Sequence, residues 1–572
     1  QHTGQVLSLA YLPLTLLWLS RAMERRSLGY GFAAGLAAAA LVLGRDQVAL
    51  LCVYVLIGYV VWHCATAPRS VDEARATAPA LFVGGITGLS VVALPILMTV
   101  LVAADSNRPA IDLEGAGRGS LHPALFLTLF APDVFGSSGE MSRYWGPPSM
   151  RWQDTGLFIA QNVGQLYIGA IPVLLLIVGA LTGMLWARPV RFFTAALGVM
   201  VVYALGWYTP AFEVMHATLP GVDLFRRPAD AVFLIGYLAS VLAGYVAHRL
   251  LTATLPRLAR WQWAVAAMVP IAALGCAFAL AMTFETTLRA IPPLEEAALL
   301  FAGGAAALAT AAWLYPLRPV VAGSILAAFT VLDLAIANGP GGATALPPEV
   351  YDVLQPKSAN DTISFLKGKV AAGRTETRRD RVELVGIGFH WPNASLTHRL
   401  ENTLGYNPVR LGDYTRATGA EDASVTTRDR KLTPLFPSYR STLADMLGLR
   451  WIASGAPIEE ADKTLKPGDL NFVARTADAF IYENPRAMPR VLFPDNAQSA
   501  DFGTILTTGK WPGVDFTRTV LVEPGAATPS VPGAIPGAEP AEVPRTVKIL
   551  RYRHDSVEIE AESLSGGFVV LN

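Results

Sequence analysis

The chain has 572 residues, 52% of them hydrophobic and 16% charged, with a mean hydropathy of +0.39 and a formal net charge of zero. That balance belongs to a multi-span membrane protein carrying a soluble domain large enough for its own core, and nothing in it argues for nucleic acid. Cys52, Cys64 and Cys276 all fall in apolar runs, where free cysteines usually act as small core fillers, so no disulfide or redox chemistry is expected in the polar part.

In chain order, apolar runs near residues 5–20, 28–43, 49–64, 79–103, 166–186, 192–207, 228–248, 262–283, 294–314 and 319–338 predict about ten transmembrane helices. A hydrocarbon core about 30 Å thick needs roughly 20 helical residues. The runs at 79–103, 166–186, 263–282 and 294–314 meet that length. Those at 28–43 and 192–207 are short and read equally well as re-entrant or interfacial helices.

The loops between runs test this ladder, because cytoplasmic loops collect Lys and Arg. One alternating set holds Arg21, Arg25, Arg26, Arg69, Arg75, Arg188, Arg191, Arg249, Arg257, Arg260 and Arg318. The opposite short loops hold Arg45, Arg226, Arg227 and Arg289, a bias of about eleven to four. It predicts that residue 1, the long loop 104–165 and everything after Asn338 lie outside the cytoplasm. The protein is thus expected to be multi-pass, with an extracytoplasmic C-terminal domain.

After Asn338 the apolar ladder stops, and the first lysine of the chain is Lys357. Residues 339–523 read as a mixed α/β domain, with helices at 360–369 and 440–449 and strands at 450–454, 491–493 and 518–523. A Pro/Gly/Ala-rich stretch at 524–544 reads as a linker. Residues 545–572 end in β-sandwich-like strands, with period-2 alternation at 547–552 and 556–561 around His554-Asp555 predicting a hairpin. The fold class is therefore an α-helical polytopic membrane domain over 1–338, followed by an extracytoplasmic mixed α/β domain. Residue 1 is Gln, no signal peptide precedes the first run, and the last residues stop within a strand-like stretch, so both ends read as cut.

No metal-ligand, nucleophile-elbow or P-loop motif occurs, and His390 with His398 has no third ligand nearby, so neither a metal nor a cofactor is expected. Charged groups do gather at the ends of spans. Gly44-Arg-Asp-Gln47, Asp105-Ser-Asn-Arg108 and the stretch from Pro220 to Asp230 place Arg45, Arg108, Arg226 and Arg227 at one membrane surface, with Asp46, Asp105, Asp223 and Asp230 among them. Arginine suits phosphate because its planar fork donates two parallel hydrogen bonds. The alternative is that these arginines anchor helices at the headgroups or pair with the neighbouring aspartates. Asp333, inside the last apolar run, either caps or pairs near its outer end. The loop 104–165 is too long for a plain connector, and its Arg143-Tyr-Trp-Gly146 and Trp152 are candidates for stacking on sugar rings or for interfacial anchoring.

The same segments carry a family resemblance. Leu9-Ala-Tyr-Leu-Pro-Leu14, Gly44-Arg-Asp-Gln47, Ser106-Asn-Arg108, Tyr167-Ile-Gly-Ala-Ile-Pro172, Leu205-Gly-Trp-Tyr-Thr-Pro210, the stretch from Leu219 to Pro228 and Leu332-Asp-Leu334 match, as do Gly405-Tyr-Asn-Pro408, Asp413-Tyr414, the stretch from Met446 to Ser454 and that from Tyr482 to Arg490. Across essentially its whole length the chain resembles the bacterial YfhO-type membrane proteins, which look like members of the GT-C class of glycosyltransferases. The resemblance implies transfer of a sugar from a polyprenyl-phosphate carrier in the bilayer to a cell-envelope polymer, with Arg45, Arg108, Arg226 and Arg227 taking the donor phosphate. It places the class's acidic catalytic residue upstream of Gln1 and leaves the catalytic residue of this chain unknown. A lipid or polymer transporter and a non-catalytic, glycan-binding envelope scaffold stay open as alternatives.

Overall fold

The computed structural model describes residues 3–44, 46–106, 111–139, 141–153, 155–256, 258–339, 347–407, 409–420, 426–525, 546–563 and 567–572. Arg45, Arg108 and most of the 524–544 stretch lie outside the described residues. The chain forms two compact units, residues 1–100 with 109–346, and residues 101–108 with 347–572.

In the first unit a helix falls on each apolar run. These are α1 (Thr3–Arg25), α2 (Leu28–Val42), α3 (Gln47–Thr66) and α4 (Ser70–Ala104), then, after the short α5 (Leu113–Gly117), α6 (Ala170–Leu181) and α7 (Arg191–Leu205). Past the short α8 (Ala211–Thr218) come α9 (Val232–Leu251), α10 (Arg260–Thr283), α11 (Thr287–Leu314) and α12 (Pro319–Ala337). Eight of the helices are long and apolar enough to cross a bilayer; Leu28–Val42 and Ala170–Leu181 are shorter. A multi-pass membrane protein follows.

Two expectations about length change. The run at 192–207 holds α7 and the 3₁₀ turn Gly206–Tyr208 that continues it, together an 18-residue apolar stretch, Arg191–Tyr208, of spanning length. The run at 166–186, expected to span in full, holds a helix of only 12 residues. Local backbone explains the shortening. Gly169 has φ +102, a conformation that a β-carbon disfavours, and Gly183 at φ +72 stops the helix before a 3₁₀ turn at Met184–Trp186.

Helix ends follow local chemistry. Asp46 caps α3 by accepting a hydrogen bond from the Ala49 amide at 3.1 Å, an arrangement that typically contributes about 1 kcal/mol. Asp72 and Glu73 sit in the first turn of α4, where the helix dipole favours negative charge. Helices α2 and α4 touch through glycines: a β-carbon on Gly35 would lie 2.3 Å from the Gly84 carbonyl oxygen, and one on Gly31 would lie 2.2 Å from that of Ala80. Small residues permit this backbone approach, and close packing is what holds helices together in lipid.

The segment between α4 and α6 is folded rather than loose. Its Leu121, Leu125, Phe135 and Trp145 are buried in the same core as Leu51, Tyr203 and Leu234 from the spans. Among the cysteines only Cys52 is a core residue; Cys64 is half-buried and Cys276 is exposed on α10.

The second unit is built on a mixed sheet in the order β1-β2-β4-β3: β1 (Arg381–Val385), β2 (Leu449–Ser454), β3 (Asn471–Arg475) and β4 (Phe480–Glu483). The β1–β2 pair is parallel and the other two pairs are antiparallel. Alternation along β2 sends Trp451 and Ala453 to one core and Ile452 to the other. Helices α13 (Asp361–Ala372), α14 (Trp391–His398), α15 (Gly412–Thr418) and α16 (Thr442–Met446) surround it. The helix expected over 440–449 is cut to five residues because Gly448, at φ +63, turns the chain into β2.

The remaining strands pair two by two. β5 (Val491–Leu492) joins β10 (Val570–Leu571), and β6 (Asn496–Ser499) joins β7 (Thr519–Val522) in parallel across α17 (Phe502–Thr508). The expected hairpin is β8 (Thr546–Tyr552) against β9 (Val557–Glu562). Among the described residues it is a two-stranded ribbon, and no second sandwich layer pairs with it.

A charged network crosses the second unit's interior. Glu383 on β1 accepts hydrogen bonds from Arg430 at 2.9 Å, Tyr439 at 2.6 Å and Thr403 at 2.7 Å. The Arg430 and Glu383 side chains are 0% and 1% exposed, and the guanidinium lies over the Phe436 ring. Burial pulls the Arg430 pKa down, but the carboxylate of Glu383 more than offsets it and holds the guanidinium above its usual range.

Candidate functional site

Where α12 ends and α9 begins, the first unit holds a cavity of about 370 Å³. Four segments distant in sequence line it: residues 132–138, 162–167, 230–233 and 337–339. Its polar groups are Asp133, Ser137, Ser138, Asn162, Gln165, Tyr167, Asp230 and Asn338. The volume lies in the usual range for a small-molecule site. These carboxylate, hydroxyl and amide groups are set in a mostly apolar wall, and no Lys or Arg is among the lining residues.

Each wall is set by its own local chemistry. Asp133 accepts hydrogen bonds from the Ser138 amide at 2.8 Å, the Ser138 hydroxyl at 2.7 Å and the Ser137 hydroxyl at 3.2 Å, which fixes the turn. Gln161 donates to the carbonyls of Ser137 and Gly139, tying the second segment to the first. Asp230 sits in a 3₁₀ turn, Pro228–Ala231, that leads into α9. It is buried and pairs with Arg227 at 3.3 Å. That turn lies against Gly119, whose carbonyl accepts the Ala229 amide at 3.0 Å. A β-carbon on Gly119 would stand 2.1 Å from the Arg226 carbonyl oxygen, so only glycine admits this approach.

Asp333 supports the cavity from behind. It is 1% exposed within α12 and accepts from the Tyr167 hydroxyl at 2.6 Å and the Ala170 amide at 2.7 Å. It therefore caps the start of α6, of the two roles that its position in the sequence suggested. A carboxylate at a helix N-terminus is stabilised by the dipole and by the free amides there. It also fixes Tyr167, and with it the cavity wall at Gly164 and Gln165.

The expected site residues separate. Asp230 lines the cavity and Arg227 is its partner, while Arg226 is exposed on the same turn. Asp223 lies one turn upstream, where its carbonyl accepts the Ile111 amide at 2.8 Å. Asp46 serves as the α3 cap. Asp105 belongs to the second compact unit, with its carbonyl accepting the Gly412 amide at 2.8 Å. Comparison with protein-family models, curated proteins and solved structures finds no match. Among the described residues no group of three His, Cys, Asp or Glu side chains is placed to hold a metal.

The aromatic candidates of the long loop turn inward. Trp145 is 1% exposed and packs on Phe135 with ring centroids 4.8 Å apart. Trp152 stacks on Phe284 at 4.5 Å and meets His122 edge-on at 4.9 Å. They build the core of the loop, and neither forms a sugar platform. His122 accepts the Ala124 amide through Nδ1, so its neutral form carries the proton on Nε2, and burial holds its pKa below 6.5. Asp133 and the Tyr167–Asp333 contact were not singled out from the sequence as site features. A lone aspartate between Pro132 and Val134 offers no periodicity, and the partners of Asp333 are more than 160 residues away.

Proposed function

We propose that this chain belongs to a multi-pass glycosyltransferase that moves a sugar from a polyprenyl-phosphate carrier to a cell-envelope polymer on the extracytoplasmic face of the bacterial inner membrane. The observation that carries the reading is the cavity at the ends of apolar helices, with hydroxyl, amide and carboxylate groups in its wall and Arg226 and Arg227 directly before the turn that carries Asp230 into that wall. A lipid-linked donor reaches such a site from the bilayer, with its phosphate at the surface and its sugar hydroxyls beside the wall's carboxylate, hydroxyl and amide groups. The excess of arginine in the opposite loops supports placing this end of the bundle outside the cytoplasm.

The chemistry asks for two things. An acceptor hydroxyl attacks the anomeric carbon and gives its proton to a base, while the glycosidic carbon–oxygen bond breaks and its electrons leave on the phosphate. A guanidinium near that phosphate offsets the growing charge, which is the part we give to Arg226 and Arg227. Asp133 and Asp230 orient hydroxyls at the wall; the base is left unassigned.

The test is transfer of radiolabelled sugar from a polyprenyl-phosphate donor to envelope polymer, in membranes of a deletion strain carrying the full-length gene. Arg226→Ala and Asp133→Asn should each lower transfer by about a hundredfold at unchanged protein level, the usual scale for losing one preorganised group. Transfer at the wild-type rate in both variants overturns the reading. Movement of labelled lipid across proteoliposomes without sugar transfer replaces it with a transporter.

A further inference from the structure

The second compact unit carries an exposed apolar edge beside the end of a membrane span. No charged side chain occurs from Ala76 to Ala104, and Asp105 is the first to follow. The hydrocarbon boundary at this end of α4 therefore lies close to Ala104 and Asp105, because ionised groups avoid the bilayer core. The last turn of α4 belongs to the second unit, and its Leu101 and Val102 are exposed, as lipid-facing side chains are. Ser106 pairs antiparallel with Leu411, and the Gly412 amide donates to the Asp105 carbonyl at 2.8 Å. Residues bonded in this way have α-carbons about 4.5–5.5 Å apart. Leu411 thus stands one residue pair away from the place where an apolar span leaves the lipid.

Around that point the side chains fit the same environment. Leu411 is 64% exposed and Leu396 on α14 is 76% exposed, with Val409 and Phe389 also open. Phe389 packs on Tyr406, which exchanges hydrogen bonds with Asn393 one turn before Leu396, so these residues form one edge. Arg399, exposed just past the end of α14, supplies a cation at its border. A folded soluble surface seldom leaves such a cluster in water, and apolar side chains bordered by arginine suit the headgroup boundary.

We infer that Phe389, Leu396, Val409 and Leu411 form a lip by which the second unit rests in the lipid headgroup region, continuing the lipid-facing surface of the last turn of α4. The occupant is the bilayer itself, since the edge is continuous with a span that already meets lipid. The inference does not depend on the proposed reaction.

The test uses the full chain, with Cys64→Ser and Cys276→Ser, in nanodiscs of phosphatidylethanolamine and phosphatidylglycerol. An environment-sensitive fluorophore is attached at Leu411→Cys, at Leu396→Cys, or at the exposed, polar Lys466→Cys as the control. The first two should emit blue-shifted and lose most emission to lipids carrying a nitroxide near the headgroup, less to a nitroxide deep in the acyl chain, while the control stays red and unquenched. Emission at 411 and 396 matching the control overturns the inference. So does a blue shift without nitroxide quenching, which would mean a protein covers the edge. Both sites are exposed, and an unchanged melting temperature of each variant confirms that the label reports on the native fold.

Discussion

Two buried carboxylates, one in each unit, are held in opposite ways. In the membrane unit Asp333 is held by a phenol and by the amide that opens α6, with no cation bonded to it among the described residues. In the second unit Glu383 is held by Arg430 together with two hydroxyls. Taking an arginine and a carboxylate out of water costs several kcal/mol per ion, and only good geometry with further hydrogen bonds recovers it. The α6 terminus offers its dipole already in place, so a lone carboxylate suffices there. The β1 interior offers no such end, and the charge needs a counter-ion.

The sharpest way to break the contrast is Arg430→Met. It strands Glu383 without its partner and should cost about 3–5 kcal/mol in the second unit. Urea unfolding followed by proteolysis of residues 347–572 in the full chain measures it, and adding Glu383→Gln should return much of the loss. Next comes Asp333→Ala, expected to remove about 2–3 kcal/mol through two lost charge-assisted hydrogen bonds. Asp333→Asn, which keeps one acceptor, should lose less, as read by thermal melting in detergent; equal losses would mean that packing and not capping sets the role of Asp333.

A smaller effect concerns pH. His122 is neutral when its Nδ1 accepts from Ala124, and its folded pKa lies below 6.5 because burial disfavours the imidazolium. Its contribution is therefore complete above pH 6.5 and is lost as the pH falls from there through the folded value. Protection of the Ala124 amide, taken relative to the intrinsic exchange rate at each pH, should fall over that window, and His122→Gln should flatten the profile.

Reading the chain alone captured whatever depends on one continuous segment. The apolar runs became helices because composition over some twenty residues decides membrane insertion, and the hairpin at 547–561 formed because period-2 alternation is a local property. Single glycines marked the failures. Gly169 and Gly183 shorten α6, and the turn at Gly448 ends an expected ten-residue helix early, though hydropathy hardly registers a glycine. The cavity was hidden for a different reason. Its wall gathers residues from 132 to 339, and which segments converge is a matter of helix packing that local pattern does not encode. Asp230 was visible as a charge at a span end, and pairing with a neighbouring arginine as one of its alternatives, yet its place in the wall was not.

The bridge between Ser106 and Leu411 also counts crossings. Both residues sit in one folded body, so the chain that leaves the bilayer after Ala104 must be back on the same face when that body resumes at residue 347. The number of passages in between has to be even. Five helices there (α7, α9, α10, α11 and α12) have spanning length, which makes the twelve-residue α6 the sixth passage. A helix about 18 Å long cannot cover the bilayer core by itself. A crossing there calls for the 3₁₀ turn Met184–Trp186 to extend the helix and for the bilayer to thin around it.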